Sequence, residues 1–242
     1  MKKIIFLIAT LLFAYDAKVE PFDVYKIKSA VSGTVVKVYK NLEAKNTNAT
    51  IVKIDDKQNL IDLKNLRSQV KILNDEIINQ QAIVKRKEKT YLTYKKLKTK
   101  SKTEKDMKFF DYMNAKNQLL NLKTQLNSTL ASIEKLKDTI SKKNIKVKGY
   151  VFKIYVNEGD YVAPGVLIAE VYDVSKQKLT IYVPIDEINK IKNKDIYING
   201  KKSEFKIYKI WNVPDTQYVT SYKVELIGNG LRFGDIVKVE FK

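Results

Sequence analysis

The sequence contains no cysteine and no histidine. That removes zinc-finger ligand sets, Ser-His-Asp and Cys-His catalysis, and any disulfide framework. Carboxylates, lysines, hydroxyls and tyrosines are what remains for chemistry, and no catalytic, cofactor-binding or metal-ligating residue is assigned among them. Arginine is nearly absent too, standing only at positions 67, 86 and 232. The chain is strongly basic, with 46 Lys and Arg against 27 Asp and Glu and a formal charge of +19. Clustered cations release counterions from phosphate, but base readout leans on arginine forks. Here the lysine excess accompanies abundant Ile and Asn, as a general compositional bias produces. Nucleic acid is not an expected partner.

Glycine and proline are absent from one long stretch. All eight glycines and all four prolines lie outside residues 57–142. A block of that length without either breaker, flanked by strand-like sequence, reads as a helical insertion. Within it, Leu63, Leu66, Val70, Leu73, Ile77, Gln80, Val84, Lys87, Tyr91 and Tyr94 fall at alternating three- and four-residue steps. Tyr112, Ala115, Leu119, Leu122, Leu126, Thr129, Ile133, Leu136 and Ile140 do the same. Each half therefore carries a heptad seam. Leu63 layered on Leu136 and Ile77 on Leu122 puts the turn near residues 99 and 100, inside the wholly polar or basic Lys98–Lys102. Thr103 with Asp106 is expected to form the capping box that restarts the second helix. Each arm of about 40 residues spans about 60 Å. The remaining faces are crowded with Lys, Asn and Gln and offer little to a globular bundle, so a projecting hairpin is expected.

The N-terminus places Lys2 and Lys3 before an apolar run from Ile4 to Phe13, with small residues at Ala14 and Ala17. This is the order of a secretory signal, expected over residues 1–17 with cleavage after Ala14 or Ala17. The run is about half of the roughly twenty residues a membrane span needs. A protein outside the cytoplasm, held at membranes through its partners, is the expectation.

Strand-like sequence lies on both sides of the helical block, and it repeats. Val31–Asn41 recurs as Val147–Asn157, with identity at Val31, Gly33, Val35, Lys37, Tyr39 and Asn41. Each copy continues to a short apolar strand, Ile51–Asp55 or Ile168–Val171. Two such copies suggest halves of one pseudo-symmetric sandwich, neither able to bury its face alone. The second copy has Gly149, Val151, Glu158, Gly159, Asp160, Val162, Gly165 and Ile168. The first keeps Gly33 and Val35 but has Glu43 and Ala49 where the second has turn glycines; neither takes a left-handed backbone readily, and Asn46 or Asn48 could do so after a small shift of the alignment.

On these residues the chain resembles the membrane fusion proteins, the HlyD-like periplasmic adaptors of tripartite efflux and secretion systems. The resemblance implies a multidomain α+β fold. A lipoyl-like β-sandwich is split into residues 18–56 and 143–174 around an inserted antiparallel coiled-coil hairpin at 57–142, and a small β-barrel follows at 175–242. Leu179–Pro184, a short helix over Ile185–Ile191, strands near Ile196–Ile198, Phe205–Trp211, Tyr222–Ile227 and Ile236–Phe241, and the closing Leu231-Arg-Phe-Gly234 fit that barrel. Trp211 and Tyr208 are expected in its core. Many relatives add a membrane-proximal domain, for which too few residues remain. The same sandwich in acyl carriers bears a lipoyl or biotinyl lysine at the hairpin that the insertion replaces here, so carrier function is not expected.

The resemblance further implies partners: an outer-membrane channel of TolC type at the hairpin tip, an inner-membrane transporter of ABC or RND type, and a homo-oligomeric ring in the assembled state. The family's Arg, Leu and Ser tip positions fall on Thr93, Leu97 and Thr103. The candidate docking residues are Lys95, Lys96, Leu97, Lys100, Thr103 and Asp106, in a tip rich in lysine. Two other readings stand beside the adaptor: a stand-alone periplasmic coiled-coil protein, and an enzyme using carboxylates and lysines. Asp55-Asp56 reads as a strand end entering the first helix, and Asp186-Glu187 as the first turn of the short helix. Neither pair is taken as catalytic.

Overall fold

The protein, as a computed structural model, is described over residues 14–214 and 217–242. The apolar run Ile4–Phe13, and with it most of the expected signal peptide, lies outside the described residues. The chain begins with β1 (Ala14–Lys28), β2 (Gly33–Val38) and β3 (Lys45–Ile54), followed by helices α1 (Lys57–Lys96) and α2 (Lys102–Lys142). Strands β4 (Asn144–Ile154), β5 (Tyr161–Val162) and β6 (Leu167–Pro184) come next, then the single-turn α3 (Ile188–Ile191). Strands β7 (Ile196–Ile198), β8 (Lys201–Lys202), β9 (Lys206–Ile210), β10 (Ser221–Gly228) and β11 (Ile236–Phe241) complete it. All strand pairings are antiparallel, in the order β5-β2-β3-β4-β6-β1-β11-β7-β8, with β10 joining β6 to β9.

Two long strands connect two apolar cores. β6 pairs with β4 near Ala169–Tyr172 and with β10 from Gln177 to Pro184, while β1 runs along its other edge. Along the second half of β6 every other residue is buried, from Gln177 through Leu179 and Ile181 to Val183. The first core draws on both repeats: Val35, Ile51, Val52 and Ile54 pack with Val147, Val151, Ile154, Val162, Ile168 and Val171. Residues on either side of the helices thus close over one interior, as the repeat requires. The second core gathers Leu179, Ile181, Val183, Val224, Leu226, Val237 and Val239, with Ile188 and Ile191 of α3 turned into it.

Ala17 and Val19 of β1 also belong to the second core, and Ala14–Lys18 pair with β11. The expected boundary at residue 18 therefore falls inside a strand, whose beginning serves the C-terminal core and whose end, at Ile27, packs on the first. Cleavage after Ala17 would remove four strand residues; cleavage after Ala14 would leave β1 nearly whole.

Four local expectations are corrected. The left-handed residue of the first repeat is Ala44 (φ 58°), not Asn46 or Asn48, which lie within β3. Ser101 rather than Thr103 caps α2. Glu187 is the N-cap of α3 and Asp186 precedes it, so neither occupies the first turn. Trp211 and Tyr208 are exposed, not core. The pairing of β9 with β10 shifts register between Glu225 and Leu226, so Ile207 and Ile210 both face the second core and Trp211 turns out. An inserted residue reverses the alternation beyond it.

Candidate docking site at the helix turn

The site is built on the helix pair. Along α1 the seam positions Leu63, Leu73, Ile77 and Gln80 are buried, as are Ala115, Thr129 and Ile133 on α2. Cross-helix contacts fix an antiparallel register: Lys87 reaches Asp111 at 3.4 Å, and Tyr112 donates to Glu88 at 3.3 Å. Both pairs lie within a residue of the layering expected from the seams. Gln80, a polar seam member, donates to the Ala115 carbonyl at 2.9 Å and to Gln118 at 3.1 Å, which leaves its amide satisfied between the helices. At the base, Lys143 donates to the Asp55 carbonyl at 2.5 Å and to Asn59 at 2.6 Å, clasping the end of β3 to the start of α1. Asp56, buried, is the α1 N-cap and sits 3.8 Å from Lys53.

Toward the turn the seam becomes aromatic. Tyr91 stacks on Tyr112 at 6.2 Å and meets Phe109 at 5.4 Å. Lys95 lies over the Tyr91 ring, and Lys100 and Lys108 lie over Tyr94 at 5.3 and 5.7 Å. α1 ends at Lys96, with Leu97 closing the last turn through its N–H to the Tyr94 carbonyl. α2 starts on a reciprocal capping box: the Ser101 hydroxyl accepts from the Glu104 N–H at 3.2 Å, and the Glu104 carboxylate accepts from the Ser101 N–H at 2.9 Å. Lys100 adds a 2.9 Å ion pair to the same carboxylate. Lys100, the Ser101 N–H and the Ser101 hydroxyl, which also donates to this carboxylate at 3.1 Å, hold the Glu104 carboxyl down at about 2, from an ordinary 4.5. The ion pair in turn raises Lys100.

The six sequence-derived candidates thus divide. Lys95, Lys96 and Leu97 are exposed at the end of α1, and Thr103 and Asp106 are exposed in the first turns of α2. Lys100 is partly covered and engaged with Glu104 and Tyr94, so it shapes the turn rather than presenting a free charge. Residues 85–105 carry ten cations, opposed only by Glu88 and Glu104. Sequence reasoning missed Ser101 and Glu104, although Ser-x-x-Glu is the stronger capping pattern. It also missed Met107 and Phe110, exposed apolar side chains close to the turn. Their signal was an apolar residue off the seam of an otherwise polar helix.

Elsewhere, a cleft of about 690 Å³ is lined by Val19, Pro21, Val24, Tyr150, Phe152 and Phe233, and Glu20 is the single carboxylate among its lining residues. Among the described residues no three Asp or Glu converge to hold a metal ion, and no helix is long and apolar enough to cross a membrane.

No protein-family model matches the chain, and no curated protein matches it by sequence. Solved structures do. MacA from Actinobacillus actinomycetemcomitans superposes with a TM-score of 0.77 over 96% of this chain and 78% of its own, at 17% identity. The membrane fusion protein Spr0693 from Streptococcus pneumoniae superposes at 0.61 over 96% and 99%, at 10% identity. This is the fold of the membrane fusion proteins. A MacA–MexA chimera carrying the Pseudomonas aeruginosa MexA α-hairpin domain shares it at 0.65, over 96% of this chain and 81% of its own, with 17% identity. At such identities the likeness is one of fold.

Proposed function

We propose that this protein is a periplasmic adaptor that links an inner-membrane efflux or secretion transporter to an outer-membrane channel of TolC type, joining the two without catalysing a reaction. On this reading, the first core is a split lipoyl-like sandwich, α1 and α2 form its coiled-coil hairpin, and the C-terminal core is the small β-barrel. Several copies assemble as a ring around the transport path. The observation that carries the proposal is the helix pair itself. It leaves a β core built from both repeats and ends in a capped turn that exposes Leu97, Lys95, Lys96, Thr103 and Asp106. Buried seams pair the helices with each other, while the polar outer faces and the turn stay open to a partner. The likeness to the membrane-fusion fold over 96% of the chain supports the same assignment.

The test is to tag the protein, solubilise the membranes that contain it and identify what is captured. An outer-membrane channel and an inner-membrane transporter together are the expected finding. Capture of neither, with the protein folded, would favour a stand-alone periplasmic coiled-coil protein instead.

A further inference from the structure

Large apolar side chains at one end of the second core face solvent. Trp211, directly after β9, is 40% exposed; Val213 is 77% and Val219 68% exposed. Tyr218 and Ile185 are also exposed. They form one neighbourhood: the Ile185 N–H donates to the Thr220 carbonyl at 3.2 Å, the Trp211 N–H donates to the Lys223 carbonyl at 2.9 Å, and Tyr218 stacks on Tyr182 at 3.8 Å. Lys209 lies 3.7 Å above the Trp211 ring, and Lys223 lies 5.5 Å from it. Among the described residues, the nearby carboxylates Glu225 and Glu187 are engaged, and Asp215, between Val213 and Tyr218 in sequence, lies outside the described residues. Glu225 pairs with Lys223 at 2.9 Å, and Glu187 pairs with Lys190 at 3.6 Å and accepts from Tyr15.

The start of β1 lies at this same end, because Tyr15 reaches Glu187 just beyond β6. Aliphatic side chains beside a Trp and a Tyr, flanked by lysines whose ammonium groups lie over the indole ring, match what a membrane–water interface accommodates: apolar tips among acyl chains and amphipathic rings with cationic neighbours at headgroup depth. A net charge of +19 adds attraction toward an anionic surface.

We propose that this end of the molecule, presenting Trp211, Val213, Tyr218, Val219 and Ile185, docks on the surface of a phospholipid bilayer. The docking is peripheral and inserts side chains only. It goes beyond the adaptor reading and shares no residue with the helix turn, so either can fail without the other. It also gives the protein a membrane contact of its own, where the sequence led us to expect attachment through partners alone.

Trp211 is the only tryptophan, so its fluorescence reports on this site and nowhere else. The full chain is mixed with vesicles of phosphatidylethanolamine and phosphatidylglycerol, some carrying brominated acyl chains. The expected result is a blue shift of the emission, quenching by bromine, and persistence of both at high salt. The double variant Val213→Asp/Val219→Asp keeps the reporter and changes only exposed positions, so its melting temperature is expected to stay unchanged. It should lower vesicle partitioning about tenfold for each inserted valine, about a hundredfold together, and abolish the shift. Salt-reversible vesicle binding with unmoved Trp211 emission would overturn the proposal and assign the adsorption to the lysine-rich helices. A shift that survives in the double variant would overturn it, since the emission would then move without Val213 and Val219. A shift seen only with solubilised inner-membrane protein, and not with lipid, would make the patch a protein contact.

Discussion

Glu43 accepts a hydrogen bond from the backbone N–H of Ile154 at 2.7 Å, across the two repeats of the first core. The relation has a mirror. Glu158, in the turn of the second repeat, accepts from the N–H of Val38 at 3.1 Å, and Val38 occupies the place in the first repeat that Ile154 holds in the second. Each half thus lends a carboxylate to the same backbone amide of the other, and Lys40 and Lys37 stand beside the two carboxylates at 3.8 and 3.2 Å. Glu43 stands where a gapless alignment has a turn glycine, so the apparent defect of the first repeat supplies a bond between the halves. Glu43→Ala would leave the Ile154 N–H without its charged acceptor and is expected to cost about 1–3 kcal/mol in urea unfolding. Glu43→Gln should recover part of that loss. The Glu158 carboxyl is lowered, first by the Val38 N–H and then by Lys37. Its contribution is therefore present above its unfolded-state value and fades as pH falls through the folded one.

The glycines that begin the two repeats are predicted to be intolerant of any side chain. A methyl group on Gly149 would come within 2.8 Å of the Tyr172 carbonyl oxygen, a backbone atom that cannot swing away, at a φ of 140°. One on Gly33 would meet the Ile54 methyl at 2.6 Å. Overpacking and backbone strain each cost about 1–3 kcal/mol, so Gly149→Ala should be the more damaging change, with Gly33→Ala somewhat milder because a side chain is what gives way. Gly159→Ala meets nothing within 4 Å and carries only the cost of a φ of 95°. The order Gly149, Gly33, Gly159 in midpoint denaturant concentration is the check.

What was legible in the sequence was what periodicity controls. A seam of apolar residues at three- and four-residue steps has one arrangement that buries it, so pairing, register and the place of the turn followed. The repeat around Gly33 and Gly149 likewise predicted a shared core. What escaped depended on single-residue events. Ser101 and Thr103 both begin a hydroxyl-x-x-acid pattern, and only the longer Glu104 side chain reaches back to close the box. Trp211 would face inward if β9 alternated without interruption, but the register shift near Tyr208 and Lys209 turns it out. The double duty of β1 was hidden because a strand's sequence shows which face is apolar and not which neighbour it will join.

The capping box makes the turn of the helix pair acid-sensitive. With the Glu104 carboxyl lowered from 4.5 to about 2, the charged form is favoured in the folded state, so its support of α2 is complete above about pH 4.5 and is lost as pH falls toward 2. Amide protection at Ser101 and Glu104, taken relative to the intrinsic exchange rate at each pH, is expected to fall across that window while protection at Gln80 and Ala115, buried farther along the pair, does not follow. Glu104→Gln keeps the geometry but removes the titration and should flatten the profile. An equal loss of protection at both places would mean that the helices loosen as a unit.

Charge at the turn is expected to govern the speed of docking more than its final strength. Lys95 and Lys96 are exposed, whereas Lys100 is already paired with Glu104. Charges at the rim of an interface steer encounter and are screened by salt over about 10 Å at 0.1 M, while buried apolar contacts set the rate of departure. On the adaptor reading, Lys95→Glu/Lys96→Glu should slow association with the purified channel several-fold at low salt and make little difference at high salt. Leu97→Ala, at a 41% exposed apolar position, should instead hasten dissociation and do so at any salt. Surface plasmon resonance on the immobilised channel separates the two rates. If the lysine pair changed only dissociation, the basic turn would be making specific contacts and not steering the encounter.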